Sequence, residues 1–243
     1  VKGEPVSRFA GEAVRESGLV HRRTGTPTQE MPMLNDAEAR EQIIQITNEL
    51  FSMGLLTATG GNVSALASGG ETLWITPSQM YKGGLTEADL VHIQPDGTVI
   101  EGTRQPSVEF QMHAAAYRVR PGTTGAVHTH APIATAFGIC SQTFPPINTD
   151  AVFLRDTVTV PWYMPGSKEL ADAVAEALVK SRGAILQNHG LMCVGENLRK
   201  AVTRAMMLEE TAKILMYCKQ FGGTISLLPD EWVERLAPLA DFI

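Results

Sequence analysis

Three histidines carry the most specific chemistry in this sequence: His128 and His130 in GAVHTHAPIA, and His189 in AILQNHGLMCVGE. Residues two apart on a β-strand point to the same face, so a strand through His128 and His130 presents two imidazoles side by side. Burying neighbouring imidazoles costs desolvation unless something pairs them, and a metal ion is one such partner. His189 lies far along the chain, in a second strand-like segment that the fold must bring alongside. Three neutral imidazoles with a fourth position left open suit a catalytic metal site rather than a structural one. Gly190, directly after the third histidine, permits close backbone approach. His21, His92 and His113 read as ordinary core or surface residues.

Carbon–hydrogen or oxygen–hydrogen chemistry beside a metal needs a base. Glu109, in PSVEF, is the best candidate, placed at the first turn of an expected helix where the dipole favours a carboxylate. Taken alone it fits equally well a stabilising N-terminal glutamate, and Ser107 fits an N-cap. Gly60-Gly61-Asn62 in TATGGNVSA can form a backbone nest for an anion, or an ordinary turn. Ser78, in Thr76-Pro77-Ser78, can likewise be no more than a strand exit.

The elements that must position these groups alternate along the chain. Residues 1–34 show no period and read as an N-terminal extension, leaving 35–243 as the folded domain. Asn35 caps a helix whose apolar face runs through Ile43, Ile46, Leu50 and Phe51 and which stops at Gly54. Short strands follow in ETLWITPS, DLVHIQPDG and TVIEG, the last two joined by a Pro-Asp-Gly turn. A second helix runs from Ser107 to just before Pro121. Beyond the His128/His130 strand come a short helix in APIATAFGI, a strand in TVTVPWYMP, and a helix from Ser167 ended by Gly183. AILQNHGLMCVGE then reads as a strand, followed by a long helix closed by Gly222–Gly223 and an amphipathic tail suited to packing on a neighbour. This interleaving describes one α/β domain.

Composition narrows the function classes. Lys and Arg total 20 against 26 Asp and Glu, a net charge of −6 that argues against nucleic-acid or anionic-membrane partners. No apolar run approaches the roughly 20 residues that span a bilayer. Cys140, Cys193 and Cys218 are widely spaced and form no Cys-x-x-Cys pair, so free thiols and a cytoplasmic location are expected. The first residues lack a secretory pattern, and the opening Val suggests a trimmed chain.

GGNVS, ITPS, the Pro-Ser-x-Glu of PSVE, HTH and QNHGL occur in the order and approximate spacing of the class II aldolase/adducin-head family, which the chain resembles from about Asn35 to Gln220. Within that family the likeness is greatest to members that cleave ketose phosphates such as L-fuculose 1-phosphate. The resemblance implies a single three-layer αβα domain with a mostly antiparallel central sheet. It also implies a homotetramer with active sites between subunits. His128, His130 and His189 then match the ligands of Zn2+, with Mn2+ or Co2+ also suited to imidazole. Glu109 matches the acid/base carboxylate, which itself ligates the metal when no substrate is bound. Gly61, Asn62, Ser78 and Ser107 fall where the aldolases hold the substrate phosphate. The implied reaction is a metal-dependent retro-aldol cleavage of a small-molecule ketose phosphate through an enediolate.

Three departures bear on the substrate. Val108 replaces the second serine of the family pattern and offers no donor to a phosphate. Gln79 stands where the aldolases have glycine. No tyrosine matches the family's aldehyde-protonating residue, whose place falls near Thr149 and Asp150. Two alternatives therefore stand beside the aldolase: a decarboxylase of a non-phosphorylated oxo- or aromatic acid on the same metal site, and a non-catalytic adducin-like interaction domain.

Overall fold

A computed structural model describes residues 34–242; residues 1–33 of the expected N-terminal extension, with His21, lie outside them. The first helix, α1 (Asp36–Ser52), begins where the sequence provides a capping box. The Asn35 side chain accepts from the Ala37 and Glu38 amides, both at 3.0 Å, and the Glu38 carboxylate accepts from the Asn35 N–H at 3.0 Å. Ile43, Ile46 and Leu50 are buried beneath it, and Gly54 turns the chain at a φ of 71°.

Eight strands make one sheet: β1 (Asn62–Leu66), β2 (Leu73–Ile75), β3 (Val91–Ile93), β4 (Val99–Glu101), β5 (Gly125–Thr129), β6 (Val158–Val160), β7 (Gly183–Leu186) and β8 (Gly190–Gly195). Their order is β4-β3-β2-β1-β5-β8-β7-β6, and only the β6–β7 pair is parallel. Side chains alternate across the central strands and so feed two cores. Val127, Leu191 and Cys193 pack with α1, α3 (Pro132–Ile139) and α6 (Leu198–Phe221). Ala126, Met192 and Val194 pack with α2 (Phe110–Val119) and α5 (Lys168–Lys180) on the opposite face. The expected three layers and mostly antiparallel sheet are therefore present in a mixed α/β domain.

Several local expectations are corrected. The second helix starts at Phe110 rather than Ser107, so Glu109 is its N-cap residue and makes no side-chain cap bond. Helix α5 starts as expected, with Ser167 accepting from the Leu170 amide, but stops at Lys180, with Ser181 rather than Gly183 ending it. Gly183 instead opens β7, where an added Cβ would lie 3.0 Å from the Arg204 Nε. AILQNHGLMCVGE is not one strand but a hairpin of β7 and β8, reversing at Gln187–His189 with Asn188 at a φ of 59°. Asparagine tolerates that left-handed conformation, and a Gly follows two residues later, so the turn chemistry outweighs the continuous apolar pattern. The short α4 (Thr149–Phe153) lies between α3 and β6, and in the tail α7 (Asp230–Leu236) buries none of its residues in this chain.

Of the histidines expected to be ordinary, His92 stacks on Trp74 and bonds Thr72. The three cysteines are free thiols. Among the described residues, no helix is long and apolar enough to cross a membrane.

Candidate active site

Sheet register builds the site. Strand β5 is central, pairing β1 on one side and β8 on the other. Asn62 lies directly opposite His128 across β1–β5, so GGNVS and HTH become neighbours. On the other side, Thr129 faces Leu191, which brings the β7–β8 turn and His189 to the end of β5. His128 is on the strand and fully buried, while His130 falls just past its end.

The glycines around the histidines leave no room for a side chain. A Cβ on Gly190 would sit 2.2 Å from the Thr129 carbonyl oxygen and 3.2 Å from both the His128 and His130 rings. A Cβ on Gly60 would sit 2.6 Å from the His130 ring. Such distances demand displacement of backbone or ligand, which is the physical reason these positions hold glycine.

The three imidazoles offer donor atoms that lie within 4.8 Å of one another. His128 Nε2 is 3.0 Å from His130 Nε2, and the Glu109 carboxylate closes the cluster at 3.3 Å from His128 Nε2 and 3.1 Å from His189 Nε2. Two donors on a tetrahedral zinc, with bonds of about 2.0–2.1 Å, are separated by roughly 3.3 Å. Observed spacing and donor chemistry therefore fit a divalent cation. His128 Nδ1–H donates to the Leu191 carbonyl at 2.8 Å, which fixes its tautomer and turns the Nε2 lone pair toward the cluster. Glu109 Oε1 is buried and accepts no hydrogen bond, as suits an oxygen left open to a cation or to a substrate proton.

Electrostatics agree with a ligand set. Burial pushes His128 down to about 3, despite the adjacent Glu109 carboxylate, and lowers His130 as well, so the rings offer lone pairs at neutral pH. Burial alone would raise the Glu109 carboxyl, but the facing imidazoles and the Asn62 amide outweigh it and shift the group downward.

The residues expected around a phosphate are only partly assembled. Gly61 has a φ of 83°, and the Gly60 amide donates to Thr57 Oγ1 at 2.9 Å instead of facing outward. The Asn62 side chain is turned to Glu109, its Nδ2 donating to Oε2 at 2.8 Å. Ser78 and Ser107 do meet, lining a cavity of about 650 Å3 together with Gln79, Val108 and Phe110. Two of the three departures from the family pattern therefore sit in one cavity wall. Gln79 adopts a φ of 54°, a conformation natural to the glycine it replaces.

Two features escaped the sequence reading. Lys82 is 1% exposed, and its Nζ donates to the Pro77 carbonyl at 3.0 Å. Burial pushes this ammonium from 10.5 down to about 8, against the pull of the Glu109 carboxylate. The unfolded chain then binds more protons than the folded one between those values, so the burial cost is complete below about pH 8 and fades as pH rises to 10.5. Lys82→Met is expected to raise unfolding free energy at pH 7 by up to roughly 3 kcal/mol. That advantage over the parent should shrink toward zero by pH 10.5, as read from paired urea titrations. A pH-independent difference would count against this account.

The second feature is His113, expected to be an ordinary residue but found fully buried, with Asn62, in a hydrogen-bonded chain that ends at Glu109. A signal existed. Glu109, His113 and Tyr117 are spaced four apart along one helical face, and Asn62 and Ser64 two apart along one strand face.

Fold and site define the class: the chain belongs to the class II aldolase and adducin N-terminal domain family, whose profile matches residues 41–216. A 5-deoxy-D-ribulose 1-phosphate aldolase of Bacillus thuringiensis is 35% identical over 82% of this chain and 93% of its own length. A 3-oxo-tetronate 4-phosphate decarboxylase of Escherichia coli is 34% identical over 72% of this chain and 85% of its own. A solved L-fuculose 1-phosphate aldolase superimposes with a TM-score of 0.77 at 30% identity, over 86% of this chain and 99% of that one.

Proposed function

We propose that the protein is a metal-dependent lyase that cleaves a carbon–carbon bond of a ketose phosphate by a retro-aldol route. In this reading His128, His130 and His189 hold the metal and Glu109 is the acid/base. The observation that carries it is the buried Glu109 carboxylate set 3.1 and 3.3 Å from two of three convergent imidazoles. A divalent cation held there, zinc by preference for this donor set, supplies Lewis-acid charge where the enediolate develops.

The chain's own groups account for the remaining steps. As the bond breaks, the Glu109 carboxylate takes the proton from the hydroxyl on the departing carbon, which becomes an aldehyde. The bonding pair stays on the other carbon as an enediolate, and Glu109 returns a proton to that carbon to complete the ketone product. Ser78 and Ser107 line one cavity and suit the phosphate, and Ser107 Oγ accepts from the Glu109 amide at 3.3 Å, which ties that cavity to the cluster. We further propose a cytosolic homotetramer with active sites between subunits. The exposed Val108, at 57%, and Met164, at 63%, support an apolar surface beside the site that a neighbouring subunit would cover.

A second reading rests on the cavity wall. Val108 contributes no phosphate donor and Gln79 narrows the approach, which suits decarboxylation of an oxo-acid on the same cluster. Zinc-loaded protein offered phosphorylated ketoses, free ketoses and oxo-acids decides between them. Aldehyde release from a ketose phosphate supports the aldolase, and CO2 release without aldehyde supports the decarboxylase.

A further inference from the structure

Behind the acid/base carboxylate lies a chain of buried polar groups that crosses from helix α2 to strand β1. Asn62 Nδ2 donates to Glu109 Oε2 at 2.8 Å. Asn62 Oδ1 is 2.5 Å from His113 Nε2, and His113 Nδ1 is 2.7 Å from Ser64 Oγ. Ser64 Oγ lies 2.7 Å from the Tyr117 hydroxyl, which also reaches the Ser64 carbonyl oxygen at 2.9 Å. Asn62, Ser64, Glu109 and His113 are all buried.

The direction of each bond follows from how the Asn62 amide is turned. Its NH2 donates to Glu109 Oε2, and its carbonyl oxygen faces His113 Nε2. That oxygen needs a donor, so His113 Nε2 must carry a proton. The condition is the same for a neutral or a charged ring, because only the Nδ1–H tautomer leaves two acceptors facing each other at 2.5 Å. Burial pushes His113 down to about 4, so at neutral pH its Nδ1 is an acceptor and takes the Ser64 hydroxyl proton. Ser64 Oγ is then free to accept from the Tyr117 hydroxyl, whose one proton is shared between that oxygen and the Ser64 carbonyl.

A flipped Asn62 would set its carbonyl oxygen against the carboxylate and its NH2 against Nε2–H, losing both bonds. A buried polar group left without a partner costs about 1–3 kcal/mol. The chain thus excludes the flipped amide while His113 keeps its proton on Nε2.

We infer that His113 is a positioning residue for Glu109: it locks the Asn62 amide so that Oε2 is held as an acceptor, leaving Oε1, which faces His189, as the oxygen that moves protons. This role rests on the lyase reading only for its kinetic consequence, because the bond directions follow from the structure. His113 is set back from the metal cluster, with Asn62 between it and Glu109, so its effect on turnover is indirect.

Two variants and one spectrum test it. His113→Phe keeps a ring but has no donor for Asn62; His113→Gln restores an N–H near the position of Nε2. In metal-loaded protein, His113→Phe is expected to lower kcat by about 30-fold with KM changed less than about threefold. His113→Gln should recover at least about a third of parental kcat, with bound metal unchanged in both variants. In a Glu109→Ala background the His113→Phe change should add no further loss, because the group it positions is gone. Nitrogen-15 spectra of the imidazoles should show His113 as the Nε2–H tautomer, a reading that requires no substrate. An Nδ1–H tautomer, a full additive loss on Glu109→Ala, or an effect confined to KM would each overturn the proposal. Failure of every candidate substrate would count against the lyase reading alone, since the spectrum still confirms or refutes the lock.

Discussion

His130→Ala is expected to bring bound divalent metal to background and to lower kcat/KM on a cleavable substrate on the order of a thousandfold. The size follows from the role proposed for the cation. Lewis-acid stabilisation of a developing enediolate is worth several kcal/mol, and each 1.4 kcal/mol is about a factor of ten in rate. His130 is the informative ligand to remove because it lies just past the end of β5 and is only partly buried. His128, by contrast, is fully buried on the strand and donates to the Leu191 carbonyl, so its loss would confound metal binding with stability. Metal content by mass spectrometry and kcat/KM on the same preparation check the prediction. Near-stoichiometric metal with parental turnover in His130→Ala would refute it.

Glu109→Gln should behave in the opposite way toward metal and similarly toward rate. Positioned acid/base groups contribute about 100- to 10,000-fold, so kcat is expected to fall within that range. The three imidazoles remain, so metal stoichiometry should stay near the parental value. The substitution preserves side-chain volume in a residue that is 7% exposed, which limits any packing penalty. It replaces one carboxylate oxygen by an NH2 that can neither accept from Asn62 nor take a substrate proton. Loss of metal together with activity would mean that Glu109 serves chiefly as a ligand. Unchanged kcat would remove it from the chemistry altogether.

Much of this was legible in the sequence because it depends on spacing along single elements. His128 and Asn35 show it well: one follows from the period of a strand, the other from a capping box. Gly190 was legible too, since a glycine beside a ligand histidine signals close approach, and its added Cβ would meet the Thr129 carbonyl. What escaped depended on register between elements. That Asn62 faces His128 across β1–β5 cannot be read from either segment alone, and so its side chain was expected at a phosphate rather than on Glu109. His113 escaped because its spacing from Glu109 and Tyr117 gains a meaning only once the register sets Asn62 and Ser64 opposite. His189 was placed on a strand because the apolar run hid a hairpin, which only the left-handed Asn188 reveals. Lys82 is invisible for a different reason: nothing in its neighbours foretells burial of an ammonium.

The central claim is that carbon–carbon cleavage here requires a cation on the histidine cluster and the carboxylate beside it. The most direct measurement takes protein stripped by chelator and then reloaded with zinc, and follows both products of a ketose phosphate, starting with L-fuculose 1-phosphate and 5-deoxyribulose 1-phosphate. The account predicts dihydroxyacetone phosphate and an aldehyde in equal amounts from the reloaded protein, with neither from the stripped protein nor from reloaded His130→Ala. Equal turnover before and after stripping, or CO2 from an oxo-acid with no aldehyde from any ketose phosphate, would contradict it.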